Sequence, residues 1–385
     1  ILRKIILSVL LCVTFFLATP LMATATPTIQ GCQILPPDNI WNTPVDKLPV
    51  DSQSSAYIST IGANSAVHPD FRSGTWNGGP IGIPMNIVPG LQAMVPITFE
   101  YDDESDPGPY PIPPNPLIEG GDQSTGDRHI LVLDNDTCIL YETFSTYPDG
   151  RGGWNAGSGA IFDLTRNDLR PLTWTSADAA GLPILPGLVR YDEVVSGEIT
   201  HAIRFTASHT RKAFVWPARH YASSLTSLQY PAMGQRFRLK AGFDESGFSP
   251  RVQVILRAMK RYGLILADNG SPWYISGVPD EQWDNDMLVG ELGQVHAVFA
   301  VVVLGITGNP TAPTVRCRGG SQPIPCPRFG LRFPGHRCDD QGLEALLGQI
   351  DVRPAGEAVF PVPDALAVPQ QYQGINKGVL GKTRL

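Results

Sequence analysis

The run HAIRFT, residues 201–206, decides the fold class. Strict alternation sets His201, Ile203 and Phe205 on one side of an extended chain and Ala202, Arg204 and Thr206 on the other, the period of a strand and not of a helix. Similar short runs recur between Gly/Pro turns: VPITFEY at 95–101, HILVLD at 129–134, CILYETF at 138–144, AFVW at 213–216, RFRLK at 236–240, LILAD at 264–268, WYIS at 273–276 and HAVFAVVVL at 296–304. Many short strands joined by loops predict a mainly β protein, a β-sandwich or jelly roll with long Pro/Gly-rich loops.

One amphipathic helix stands out. Ser249 caps it, Pro250 suits its first turn, and Val252, Ile255, Met259 and Tyr262 form one apolar stripe before Gly263 ends it. The stretch DDESDPGPYPIPPNP (102–116) lacks the donors of a central strand and reads as an ordered, extended surface loop.

Three segments follow from composition. Arg3 and Lys4 precede an apolar run from Ile5 to Ala18, and Ala23-Thr24-Ala25 offers a small-x-small cleavage pattern, so residues 1–25 read as a signal peptide. The run is shorter than the roughly 20 residues needed to span a bilayer. Residues 26–305 form the β core, catalytic or binding. Residues 306–385 are basic and rich in Pro, Arg and Gly, a flexible appendage or an out-of-frame translation. The chain as a whole carries −7, so the acidic charge is concentrated in the core, which would repel nucleic-acid phosphates. Cysteine use fits export: Cys12 lies in the leader, Cys32 and Cys138 can tie the N-terminal segment to a strand, and Cys317, Cys326 and Cys338 cluster in the tail.

The densest chemistry lies in 174–221. Asp192 and Glu193 are adjacent carboxylates, able to share acid and base roles only if they sit on a turn or short helix. A single acid from this pair, working with Asp178, Glu142 or Asp163, is the more natural arrangement. His201 among apolar neighbours suits proton transfer, and His220 can tune or relay protons. Arg204 and Arg219 are placed to position a substrate, with Trp174, Tyr191, Trp216 and Tyr221 as stacking surfaces. GDRH at 126–129 reads as a turn delivering Arg128 and His129 into a strand. His129, His201 and His220 lack the short HxH or HxxxH spacing of a metal site, so no metal or cofactor is expected.

Taken together, WNTPVDKLPVDSQSSAYISTIG (41–62), GDRH, the SADAAGLPILPGLVRYDE block (176–193) with its HAIRF strand, and the RYG and ADNG pieces at 261–270 resemble the block order of a group of secreted bacterial and fungal proteins. The resemblance covers roughly residues 32–290 and implies an exported, β-rich, polysaccharide-associated protein. The reading that follows is a secreted glycoside hydrolase acting on a polysaccharide by carboxylate general acid/base catalysis. The alternatives are a polysaccharide lyase with a His or Tyr base and an Arg partner, and a non-catalytic carbohydrate-binding or surface structural protein. No membrane partner is expected once the leader is removed.

Overall fold

The computed structural model describes residues 26–296, 298–302, 351–352 and 358–359. The leader, and the 306–385 segment with its three cysteines apart from a short ladder of Asp351–Val352 with Ala358–Val359, lie outside the described residues.

The chain is mainly β, and the HAIRFT strand lies inside its largest sheet. That sheet has six strands in the order Phe299–Val302, Arg236–Leu239, Leu264–Asn269, Ile203–Ala207, Tyr274–Ser276 and His68–Asp70. Alternation gives it two different faces. On one, Phe205 meets Phe237 edge to face with ring centres 5.0 Å apart and stacks on Trp273, which in turn stacks on Phe299. Burying one such ring contributes roughly 1.5–3 kcal/mol relative to leaving it exposed. The expected helix, α3 (Pro250–Arg261), packs on the sheet at the Arg236–Leu239 strand; its Ser249 side chain accepts from the Val252 amide, and Val252, Ile255 and Met259 are buried. The opposite face carries Arg204, Ser276 and Asp70.

A second sheet orders Ser158–Asp163, Ile139–Phe144, Ile130–Asp134 and Met85–Val88. Its ILVLD strand has no polar face because both sides are covered. Leu131 and Leu133 join the main core, while Ile130 and Val132 join a smaller one with Ile97, Tyr110 and Ile112. The Pro-rich loop is ordered and lies along the edge of this sheet: the Asp106 amide donates to the Gly159 carbonyl at 3.0 Å, and Asp106 Oδ2 accepts from the Ile161 amide at 2.8 Å.

Two findings refine the expected architecture. The sheets are mixed, with parallel pairings of Met85–Val88 on Ile130–Asp134, Ile203–Ala207 on Leu264–Asn269, and Tyr274–Ser276 on His68–Asp70, whereas a jelly roll is antiparallel. Among the described residues, three further α-helices accompany α3: α1 (Ser54–Gly62), α2 (Tyr191–Ser196) and α4 (Asn285–Leu292). α1 has no side-chain cap and α2 is six residues long, so neither carries a strong sequence signal. A Cys32–Cys138 disulfide ties the N-terminal segment to the second sheet. Among the described residues, no helix is long and apolar enough to cross a membrane.

Candidate functional site

A β-bulge decides which residues meet. Ile203, Arg204 and Phe205 pair in step with Leu264, Ile265 and Leu266, but Thr206 then pairs with Asp268, leaving Ala267 as the extra residue. In regular register Ala267 would share the Arg204 face and Asp268 would point to the aromatic side. The bulge turns Asp268 onto the polar face instead, where its Oδ2 lies 3.4 Å from Arg204 Nη2. The partners of Phe205 and Tyr274 place Ser276 beside Arg204, and Asp70 pairs with Ser276. One face of three adjacent strands and their neighbour thus presents Asp268, Arg204, Ser276 and Asp70.

Asp178 arrives from a loop. Arg204 donates from Nε to Asp178 Oδ2 at 2.7 Å and from Nη2 to Oδ1 at 2.6 Å, and its Nη1 donates to Ser276 Oγ at 2.6 Å. Asp178 is wholly buried, which requires this pairing. Its loop is held at both ends. The Ser176 hydroxyl donates to the Leu182 carbonyl at 2.6 Å, and buried Glu142 accepts from the Ile184 and Leu185 amides at 2.9–3.0 Å. Burial pushes the Glu142 carboxyl up to about 7 against the pull of those amides.

The third contributor is the loop leading into the Ile130–Asp134 strand. Arg128 staples it, with Nε donating to the Thr146 carbonyl and Nη1 to those of Gly121, Asp122 and Ser124. This buried guanidinium satisfies carbonyls that would otherwise be unpaired. The loop brings Glu119 Oε2 to 2.6 Å from His129 Nδ1 and leaves Asp127 exposed beside them.

These groups lie close enough to shift one another's proton affinities. Asp268 is raised well above the ordinary carboxylate range, first by burial and then by Asp178 beside it. Burial, then Glu119, raises Asp70, and burial with Glu119 and Asp178 raises Asp127. Solvent reaches both residues although desolvation dominates their shifts. Burial opposes the charge on His129, but Glu119 and Asp127 outweigh it and raise the ring to about 10. The same pairing holds Glu119 below its usual range despite its burial.

Glu119, Asp127 and His129 present ligand atoms within 4.8 Å of one another. Their chemistry fits a metal poorly. His129 Nδ1 faces Glu119 and Nε2 faces the Ala177 carbonyl at 3.1 Å, so both nitrogens meet acceptors and the ring is a double donor. A metal would have to displace the Nδ1 proton.

The residues singled out in the sequence fall into separate places. Asp178 and Arg204 are in the assembly just described. Glu193 is buried in another network, with Oε1 3.0 Å from Arg190 Nη2 and Oε2 3.2 Å from His201 Nε2, and Asp192 points to solvent beside Arg190 Nε. Tyr191 packs edge-on against Trp283. The structure therefore puts Arg204 on Asp178 and Asp268 and His201 on Glu193. A third group holds His220, whose Nδ1 lies 2.8 Å from the Ala179 carbonyl, Arg219, which donates to the Arg170 carbonyl, and Trp174, which faces the Arg170 guanidinium. Tyr221 is buried and stacks on His220, while Trp216 is half-buried before Pro217. A cavity of about 310 Å³ lies nearby, lined by Trp41, Ile161, Phe162, Arg170 and Pro217 among others. It holds none of the Asp70, Asp127, Asp178 and Asp268 carboxylates, and Arg170 there is already committed to Asp106 and three carbonyls. The perturbed acids mark the stronger chemical candidate.

Asp268, Asp127, Asp70 and Glu119 were not read from the sequence as acids of a site. Asp127 lies in GDRH and Asp268 in ADNG. The convergence of GDRH, SADAAG, HAIRF and ADNG on one spot is a property of the fold, and single short motifs do not reveal it.

Compared with models of known protein families, with curated proteins and with solved structures, the chain matches none.

Proposed function

We propose that the protein is an exported glycoside hydrolase that cleaves a polysaccharide at the Asp268 assembly by carboxylate general acid/base catalysis. The observation that carries this reading is the contrast between two neighbouring acids. Asp178 has both oxygens on Arg204, and Asp268 next to it is pushed well up while its side chain keeps 21% of its exposure. A reachable carboxyl that holds its proton above the ordinary carboxylate range is suited to protonate a glycosidic oxygen. Asp127, exposed on the same assembly, is the candidate base or nucleophile, and Asp70 borders it.

Asp178 is a positioning residue. It is buried and fully engaged, so it sets the Asp268 proton affinity without touching substrate. Arg204 is likewise committed to Asp178 and Ser276, so its guanidinium is not available to a uronate. Asp70, Glu119 and Asp127 together outnumber the cations beside them, His129 and Arg72, so a neutral polysaccharide is a better fit than an acidic one. The leader pattern and the Cys32–Cys138 disulfide support export to an oxidising compartment.

The test is to incubate the purified protein with neutral and acidic polysaccharides, reading reducing ends and the absorbance of unsaturated uronates together. Reducing ends from a neutral polymer without unsaturation are expected, with a loss of about 10²-fold or more in Asp268→Asn. Unsaturated product from an acidic polymer would favour a lyase. Binding without product, or full activity in Asp268→Asn, would overturn the assignment.

A further inference from the structure

The WNGG run at 76–79 builds a hairpin that displays a tryptophan. Thr75–Trp76 pairs with Gly79–Pro80, and Asn77 and Gly78 at the tip have φ of 51° and 87°. Two consecutive left-handed residues with an Asn-Gly sequence make the tight turn that suits strand twist. Trp76 is 73% exposed. An indole offers a large, flat apolar surface with a polar N–H at its edge.

The hairpin is held firmly. A Cβ on Gly79 would lie 1.8 Å from the Gly120 carbonyl oxygen, so only glycine permits this backbone contact. At its base, Asn285 Oδ1 accepts from the Ser73 amide at 3.0 Å and Asn285 Nδ2 donates to the Ser73 carbonyl at 3.2 Å. Gly120 follows Glu119, which grips His129. Trp76 therefore sits opposite the glycine whose backbone rests against the loop of Glu119 and Asp127, while the chain entering the hairpin comes directly from Asp70 and Arg72.

We infer that Trp76 is a sugar-stacking subsite, a platform for a pyranose ring of the substrate one or more units away from the carboxylates. The inference rests on the hydrolase reading of the Asp268 assembly and adds the feature that engages a polymer. A flat aromatic face matches the apolar face of a pyranose, and the backbone that carries it is already held in place. The contact needs no charge, in keeping with a neutral polymer.

The experiment uses the full chain and neutral cello-, manno- and xylo-oligosaccharides of two to six rings. Binding is followed by tryptophan emission and calorimetry in an Asp268→Asn background, with Trp76→Ala and Trp76→Phe added. In at least one series, six-ring ligands are expected to bind more tightly than two-ring ones. Trp76→Ala should weaken the six-ring ligand about tenfold, Trp76→Phe less, and the two-ring ligand should be unchanged. Melting temperatures should match the parent, since the side chain is exposed. Equal binding by Trp76→Ala, or no binding in any series, overturns the inference. Trp76-dependent binding without cleavage by the wild type would uphold it while the hydrolase reading fails, and cleavage that ignores Trp76 would do the reverse.

Discussion

Arg204 and Asp178 form a two-pronged pair at 2.6 and 2.7 Å, buried between a sheet face and a loop. The pair joins the two parts of the molecule that carry the candidate chemistry. Burial opposes the Arg204 charge, yet Asp178 and Asp268 raise its proton affinity further, so it remains a cation.

Arg204→Met should therefore strand a buried carboxylate. The expected loss is about 3–5 kcal/mol in urea unfolding, as for other broken buried pairs. Adding Asp178→Asn should recover part of it, because the coupling between neighbours is not additive. Equal and additive losses would show that the two side chains do not depend on one another.

Asp268 makes a prediction with a definite sign. Its carboxyl is raised in the fold, so its neutral form is favoured there. The favourable term is full below the unfolded value of 3.8 and is lost as pH rises through the folded value. Asn mimics the protonated acid and has no such dependence. Asp268→Asn should thus gain melting temperature relative to wild type as pH rises, while activity is lost at every pH. A difference in melting temperature that stays flat with pH would contradict the raised carboxyl.

The His129–Glu119 pair gives the complementary curve. His129 is raised from 6.5 to about 10, so its contribution is complete below pH 6.5 and disappears as pH rises through about 10. Glu119 is held below 4.5, so its share is lost as pH falls through its folded value. His129→Gln should cost most stability between these limits, with the gap to wild type narrowing on both sides. Urea midpoints across pH measure it, and a gap that persists unchanged above pH 10 would rule out the charged pair.

The sequence made the strands legible and left the site scattered. HAIRFT showed that His201 and Arg204 part company, because alternation is a local property. It did not show which carboxylates each of them meets, since that depends on the sheet's second face. Asp268 was hidden for a sharper reason: read as a regular strand, LILAD places it on the wrong side, and only the bulge at Ala267 restores it. Asn77-Gly78 beside Trp76 is a hairpin signal of the same local kind. The 191–193 run offered a single acid from Asp192 and Glu193, and the short helix there gives the two carboxylates different surroundings.

That last separation can be tested. Glu193 is 7% exposed, and burial raises its carboxyl, but His201 and Arg190 outweigh the effect and hold it below the ordinary range. Its stabilising share is present above the unfolded value of 4.5 and is lost as pH falls through the folded one. Glu193→Gln should cost about 1.5–3 kcal/mol near neutral pH, the worth of a hydrogen bond to a charged group, with the deficit shrinking in acid. Activity measured well below the melting transition should stay within about twofold of wild type, whereas a general acid would lose about 10²-fold or more. A large loss of turnover at unchanged stability would move the chemistry to Glu193 and His201 and away from Asp268.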